Sequence, residues 1–135
     1  MNVYVPATLY VLDTHILIWY LIGSRRLSDE LRNTIDQARL QGGRLLIPTI
    51  VLAEALNLAA KNRIEFDFAE LYQLVQTESE FEIVDFGIGV FREVLRIRRI
   101  SEIHDRIIAA TARYYGAYLL TRDGVIRSSD DVNTL

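Results

Sequence analysis

Asp13, Glu54, Asp105 and Asp123 are acids at positions where ordinary patterning does not call for one. Asp13 ends the nearly apolar run Ala7 to Leu12, so its carboxylate projects from the carboxyl end of a buried strand. Glu54 interrupts Ile50-Val51-Leu52-Ala53 and Ala55-Leu56, where an unpartnered carboxylate would be costly to bury or would stay protonated. Asp105 opens a helix whose Ala109, Ala110 and Ala112 permit close approach to a sheet, and Asp123 follows Tyr118 to Thr121 and precedes Gly124. Taken singly, each has a plain explanation. Asp13 is a helix cap, Glu54 an ion-paired or edge residue, Asp105 a favourable acid at a helix dipole, and Asp123 part of an Asp-Gly turn. Brought together on one rim, they would repel strongly unless a hard divalent cation neutralised them. All-oxygen donors with room left for water and phosphate select Mg2+ or Mn2+. A cation held this way activates water for in-line attack and neutralises the departing oxygen, which is the chemistry of phosphodiester hydrolysis. Thr14 and Thr121 offer hydroxyls that would orient Asp13 and Asp123 or a water. His15 and His104 adjoin the acids, but metal-assisted attack requires no imidazole base, so both are read as capping or packing residues.

The elements that would position these acids alternate along the chain. Ala7 to Leu12 reads as a central strand and Thr14 to Leu21 as a helix closed by Gly23-Ser24. Ser28 caps a second helix with Leu31, Ile35 and Ala38 on its buried side. Leu45 to Ile47 is a short strand, and Pro48-Thr49 opens a long helix reaching about Lys61. Asp67 caps another helix, with Phe68, Leu71, Tyr72 and Val75 predicted on one face. Phe81 to Phe86 suits a strand, the next helix turns Val90, Val94 and Ile97 inward, and Ile103 to Tyr115 forms a helix stopped by Gly116. Tyr118 to Thr121 is a strand, and Val132 to Leu135 is expected to be a last one. Strands separated by helices predict an α/β fold of three layers, α/β/α, around a mainly parallel sheet. In such folds function gathers at the carboxyl ends of strands. Asp13 and Asp123 fall there, with Glu54 and Asp105 expected in opening turns of helices on the same sheet.

A chain of 135 residues, 50% hydrophobic and without cysteine, predicts a single domain over residues 1–135 with its own core. Thiolate metal sites and cysteine nucleophiles are excluded, and a reducing cytoplasm is compatible. The longest apolar stretch, Leu45 to Ala60, falls short of the ~20 apolar residues a membrane span requires. Met1 to Pro6 carries no basic, then apolar, export signal. The net charge of −3 gives no global pull toward nucleic acid. Arg92, Arg96, Arg98 and Arg99, with Arg106 and Arg113 following, form a local basic region, which reads equally as a solvated helix face or a phosphate-contacting surface.

Leu12-Asp13-Thr14-His15, Leu52-Ala53-Glu54, His104-Asp105-Arg106-Ile107-Ile108-Ala109-Ala110-Thr111-Ala112 and Leu120-Thr121-Arg122-Asp123 together resemble the PIN domain. The likeness runs through nearly the whole chain and is greatest to the VapC-like toxins of type II toxin–antitoxin modules. The resemblance implies an Mg2+- or Mn2+-dependent endoribonuclease acting on RNA in the cytoplasm, a homodimer, held inactive by an antitoxin. It carries over Asp13, Glu54, Asp105 and Asp123 as metal ligands and Thr121 as a supporting catalytic residue. The family often places serine ahead of the glutamate, where this chain has Thr49-Ile50-Val51. Two other readings remain: a PIN-fold RNA- or protein-binding regulatory module without turnover, and a phosphoryl-transfer domain of the receiver or haloacid-dehalogenase kind. The latter requires a lysine near the site, and the sole lysine, Lys61, lies toward the far end of its helix from Glu54.

Overall fold

Val11 and Leu12, consecutive in the first strand β1 (Leu9–Leu12), are both fully buried. Successive strand side chains point to opposite faces, so the sheet is covered on both sides at this point. The same holds for Leu45, Leu46 and Ile47 in β2 (Arg44–Pro48) and for Leu119 and Leu120 in β4 (Tyr118–Leu120). β3 (Phe81–Val84) completes a four-stranded sheet in the order β3-β2-β1-β4, with every pairing parallel. The computed structural model describes residues 7–135; Met1 to Pro6, expected to carry no export signal, lie outside them.

Helices supply the crossovers that parallel pairing demands. α1 (Thr14–Ile22) follows β1 and stops at Gly23, whose φ of 69° is the left-handed conformation that glycine adopts without strain. α2 (Asp29–Leu40) is capped by Ser28 Oγ, which accepts from Leu31 N, and it buries Leu31, Ile35 and Ala38 as predicted. α3 (Thr49–Ala60) leaves β2 directly at Pro48. α4 (Phe68–Thr77) is capped by Asp67 and packs on β3. α5 (Ile88–Val94) packs on α6 (Ile103–Tyr115), and α6 lies against β1 with Ala109, Ala110 and Ala112 fully buried. Among the described residues no helix is long and apolar enough to cross a membrane.

Several local expectations need correction. Tyr72 is exposed, because Leu71 and Val75 alone fill the buried stripe of α4 while Tyr72 stacks on Phe68 at its margin. Ile97 is buried as predicted, although the helix ends at Val94 and the chain itself turns Ile97 inward. Val132 to Leu135 does not form a strand. β4 offers only three residues to pair with, and Thr134 makes a single bridge to Leu119. Asp123-Gly124 is not a plain turn, since Asp123 Oδ1 accepts from Val125 N and Ile126 N and so caps a short helix, α7 (Gly124–Ser128).

Candidate metal centre

The order β3-β2-β1-β4 places the topological switch between β1 and β4, since the chain moves outward through β2 and β3 and then returns to the other side of β1. Crevices at the carboxyl ends of strands beside such a switch are where open α/β sheets bind ligands. Asp13 directly follows β1, and Asp123 lies three residues past β4. Asp105 is in the first turn of α6, which lies against β1. Glu54 enters from α3, but as the sixth residue of that helix it stands in the second turn rather than the opening one.

All four carboxylates line one cavity of about 330 Å³, together with His15 and Arg122. Hydrogen bonds fix how each acid is held. Asp13, 9% exposed, accepts from Thr14 N through Oδ1 at 2.7 Å and from the fully buried Thr121 hydroxyl through Oδ2 at 2.6 Å. The Thr121 oxygen accepts in turn from Asp123 N at 3.0 Å. Thr14, expected to orient Asp13, instead donates its hydroxyl to Glu54 Oε2 at 3.2 Å, because its side chain on α1 faces α3. Glu102 caps α6 by accepting from Asp105 N at 2.8 Å and holds His104 Nδ1 at 2.8 Å. His104 is therefore an exposed partner of Glu102 outside the cavity wall. His15 does reach the cavity, where burial is the largest influence lowering its pKa.

The electrostatics record the crowding. Burial first, and then the charges of Asp13 and Asp123, push the Asp105 carboxyl up to about 6. Glu54 is likewise raised, chiefly by burial, and its Oε1 is buried with no hydrogen-bond partner. No arginine pairs with it, which removes the ordinary ion-pair reading among the described residues. Although the four acids share a cavity wall, no three acids or histidines among the described residues are drawn together tightly enough to form a ready coordination group. Their hydrogen bonds account for the spacing, with Asp123 turned to α7 and both Asp13 and Glu54 held by threonines. What the four acids share is the lining of one cavity.

The arginine region resolves mainly into structural roles. Arg106 donates to Val94 O and Ile97 O at 2.8 Å, and Arg113 binds Glu93 and Asp131 O. Arg96 pairs with Glu93 and Arg99 with Asp130, while Arg92 and Arg98 are exposed. Arg122 is the site residue whose part the sequence left unassigned. The available signal was its position between Thr121 and Asp123, the only cation within that motif.

The fold has clear structural relatives. The chain resembles VapBC2 from Rickettsia felis, solved bound to a DNA fragment from their promoter, with a TM-score of 0.74, 20% identity, and coverage of 95% of this chain and 98% of that one. It is also similar to FitAcB from Neisseria gonorrhoeae, with a TM-score of 0.67, 20% identity, and coverage of 93% and 96%. A third similar structure is VapC20 from Mycobacterium tuberculosis, a Sarcin-Ricin loop cleaving toxin, with a TM-score of 0.59, 15% identity, and coverage of 92% and 98%. No curated protein sequence matches the chain. The family profile described as PIN domain matches residues 10–131, from within β1 to beyond α7 and across all four cavity acids. The chain belongs to the PIN-domain family.

Proposed function

We propose that this PIN domain is a divalent-metal-dependent endoribonuclease, with Asp13, Glu54, Asp105 and Asp123 as the residues that hold Mg2+ or Mn2+. The observation that carries the reading is the shared cavity. Four carboxylates from four separate elements border about 330 Å³ of space at the switch between β1 and β4. The donor set fits a hard cation, because it is all oxygen and one oxygen, Glu54 Oε1, is buried without any donor. When bound, such an ion supplies charge neutralisation and a lowered pKa to attacking water.

The chain's own residues supply positioning. Thr121 fixes Asp13 and tethers the Asp123 backbone through one hydroxyl, so strand ends β1 and β4 hold their acids in register. Thr14 steadies Glu54 from the facing helix. Glu102 anchors the α6 terminus beneath Asp105. RNA as the substrate is supported by the similar VapC20, which cleaves the sarcin–ricin loop. A toxin role with an antitoxin partner is supported by the likeness to VapBC assemblies. We place this activity in a single nuclease domain, acting in the cytoplasm as a homodimer of 15.5 kDa chains.

The test is incubation of the protein with structured RNA in Mg2+, in Mn2+ and in a chelator, beside Asp13→Asn and Asp105→Asn. Cleavage is expected in either metal and in neither the chelator nor the variants, with circular dichroism of the variants unchanged. Parent-like cutting by both variants would sink the reading. The spacing of the acids favours one rival, a PIN-fold binding module without turnover. That rival predicts RNA or protein binding with no cleavage under any of the metal conditions.

A further inference from the structure

The cavity holds one permanent cation among its acids. Arg122 lines the same wall as Asp13, Glu54, Asp105 and Asp123, yet no described carboxylate forms an ion pair with it. Its guanidinium carbon lies instead 4.6 Å from the centroid of the Trp19 ring. Trp19 is 4% exposed and fixed in the core side of α1, whereas Arg122 is exposed. His15 meets the same indole edge-on at 5.4 Å, so the ring is a platform between two cavity residues. A guanidinium stacked on an aromatic face keeps its N–H donors free around its edge, in the geometry that matches two oxygens of a phosphate.

A polyanion entering a cavity walled by carboxylates meets repulsion, and the net charge of −3 gives no compensating attraction at longer range. Three other arginines are committed to bonds within the fold. Arg106 and Arg113 satisfy carbonyls and Glu93, and Arg127 donates to Thr121 O and Leu135 O. We propose that Arg122, held on Trp19, is a phosphate clamp that takes a backbone phosphate of the bound RNA beside the acidic cavity. The clamp rests on the nuclease reading for the identity of its ligand. Its role is to hold the strand against the carboxylates, and the stacking keeps the guanidinium from collapsing onto Asp13 or Asp123.

Two titrations test this. Fluorescein-labelled RNA is titrated with the parent, Arg122→Ala, Arg122→Gln and Arg122→Lys in chelator, where no turnover occurs, across a series of salt concentrations. The same proteins, free of RNA, are titrated with Mn2+. Loss of one charge-assisted phosphate contact is expected to weaken RNA binding about tenfold and to lower the salt slope by roughly one in the Ala and Gln variants. The Lys variant should recover the slope but not the full affinity, because it lacks the planar fork. Unchanged RNA affinity and slope in both Ala and Gln variants would overturn the clamp. Tighter Mn2+ binding accompanying that result would show Arg122 to be only a counter-charge for the acids. A parent that binds RNA but cuts none defeats the nuclease reading alone, because the binding comparison still reads Arg122. A parent that binds no RNA defeats both.

Discussion

The Thr121 hydroxyl is fully buried and has two bonds to make, one to Asp13 Oδ2 and one from Asp123 N. Thr121→Val keeps the shape and removes both, leaving a buried carboxylate oxygen without a donor. Chemical denaturation is expected to show a loss of about 1–3 kcal/mol, with Thr121→Ser close to the parent. Asp105 makes a prediction of opposite sign. Its pKa is raised from 3.8 to about 6, so between those values the folded protein holds a proton that the unfolded chain has released. Stability is therefore lost as pH rises through that window, and the loss is complete at neutral pH. Partial exposure screens the effect. Asp105→Asn should raise the melting temperature of the metal-free protein by roughly 2–4 °C at neutral pH and leave it unchanged at a pH below the ordinary aspartate value. Equal melting temperatures at neutral pH would contradict the raised Asp105 carboxyl, which burial first and the neighbouring acids second produce. At this scale the acids themselves were legible, because Glu54 within an apolar helix and Asp13 at a strand end break the pattern around them. Their hydrogen-bond partners were not, since which threonine meets which acid depends on how α1 faces α3.

Elements with strong periodicity or clear stop signals were readable in advance. α2 shows its Ser28 cap and its Leu31, Ile35, Ala38 stripe, and α6 ends at Gly116 with φ 64°. The weaker elements depend on tertiary partners. α5 is one short helix held against α6, and Arg106 on α6 reaches back to accept duty at its end by donating to Val94 O and Ile97 O. No local pattern distinguishes that inward arginine from its exposed neighbours Arg98 and Arg99. Arg106→Met, which keeps much of the apolar stem, should destabilise the protein by roughly 1.5–3 kcal/mol because the α5-end carbonyl of Val94 and the loop carbonyl of Ile97 lose a charged donor. A variant as stable as the parent in urea would show that those carbonyls find other partners. α7 went unread because an Asp-Gly pair is a turn signal more often than a helix cap, and only the Val125 and Ile126 amides reveal the difference.

Across the whole molecule, alternation of strands and helices was enough to predict a parallel sheet with helical layers, and the acids then had to fall at its carboxyl rim. Strand order was not readable, although it decides the site. Only the return of β4 to the free side of β1 brings Asp123 beside Asp13. The C-terminal stretch was misjudged for a similar reason. Asn133 O accepts from Leu119 N and shields the open edge of β4 without extending the sheet. The most direct measurement of the central claim is a calorimetric Mn2+ titration of the parent beside Asp13→Asn, Glu54→Gln, Asp105→Asn and Asp123→Asn. The parent should bind saturably, and each single change should weaken binding by at least the roughly 10–100-fold that loss of an outer-shell partner costs a metal site. Four variants that bind Mn2+ as the parent does, or a parent that binds none, would contradict the assignment of these carboxylates to a shared cation.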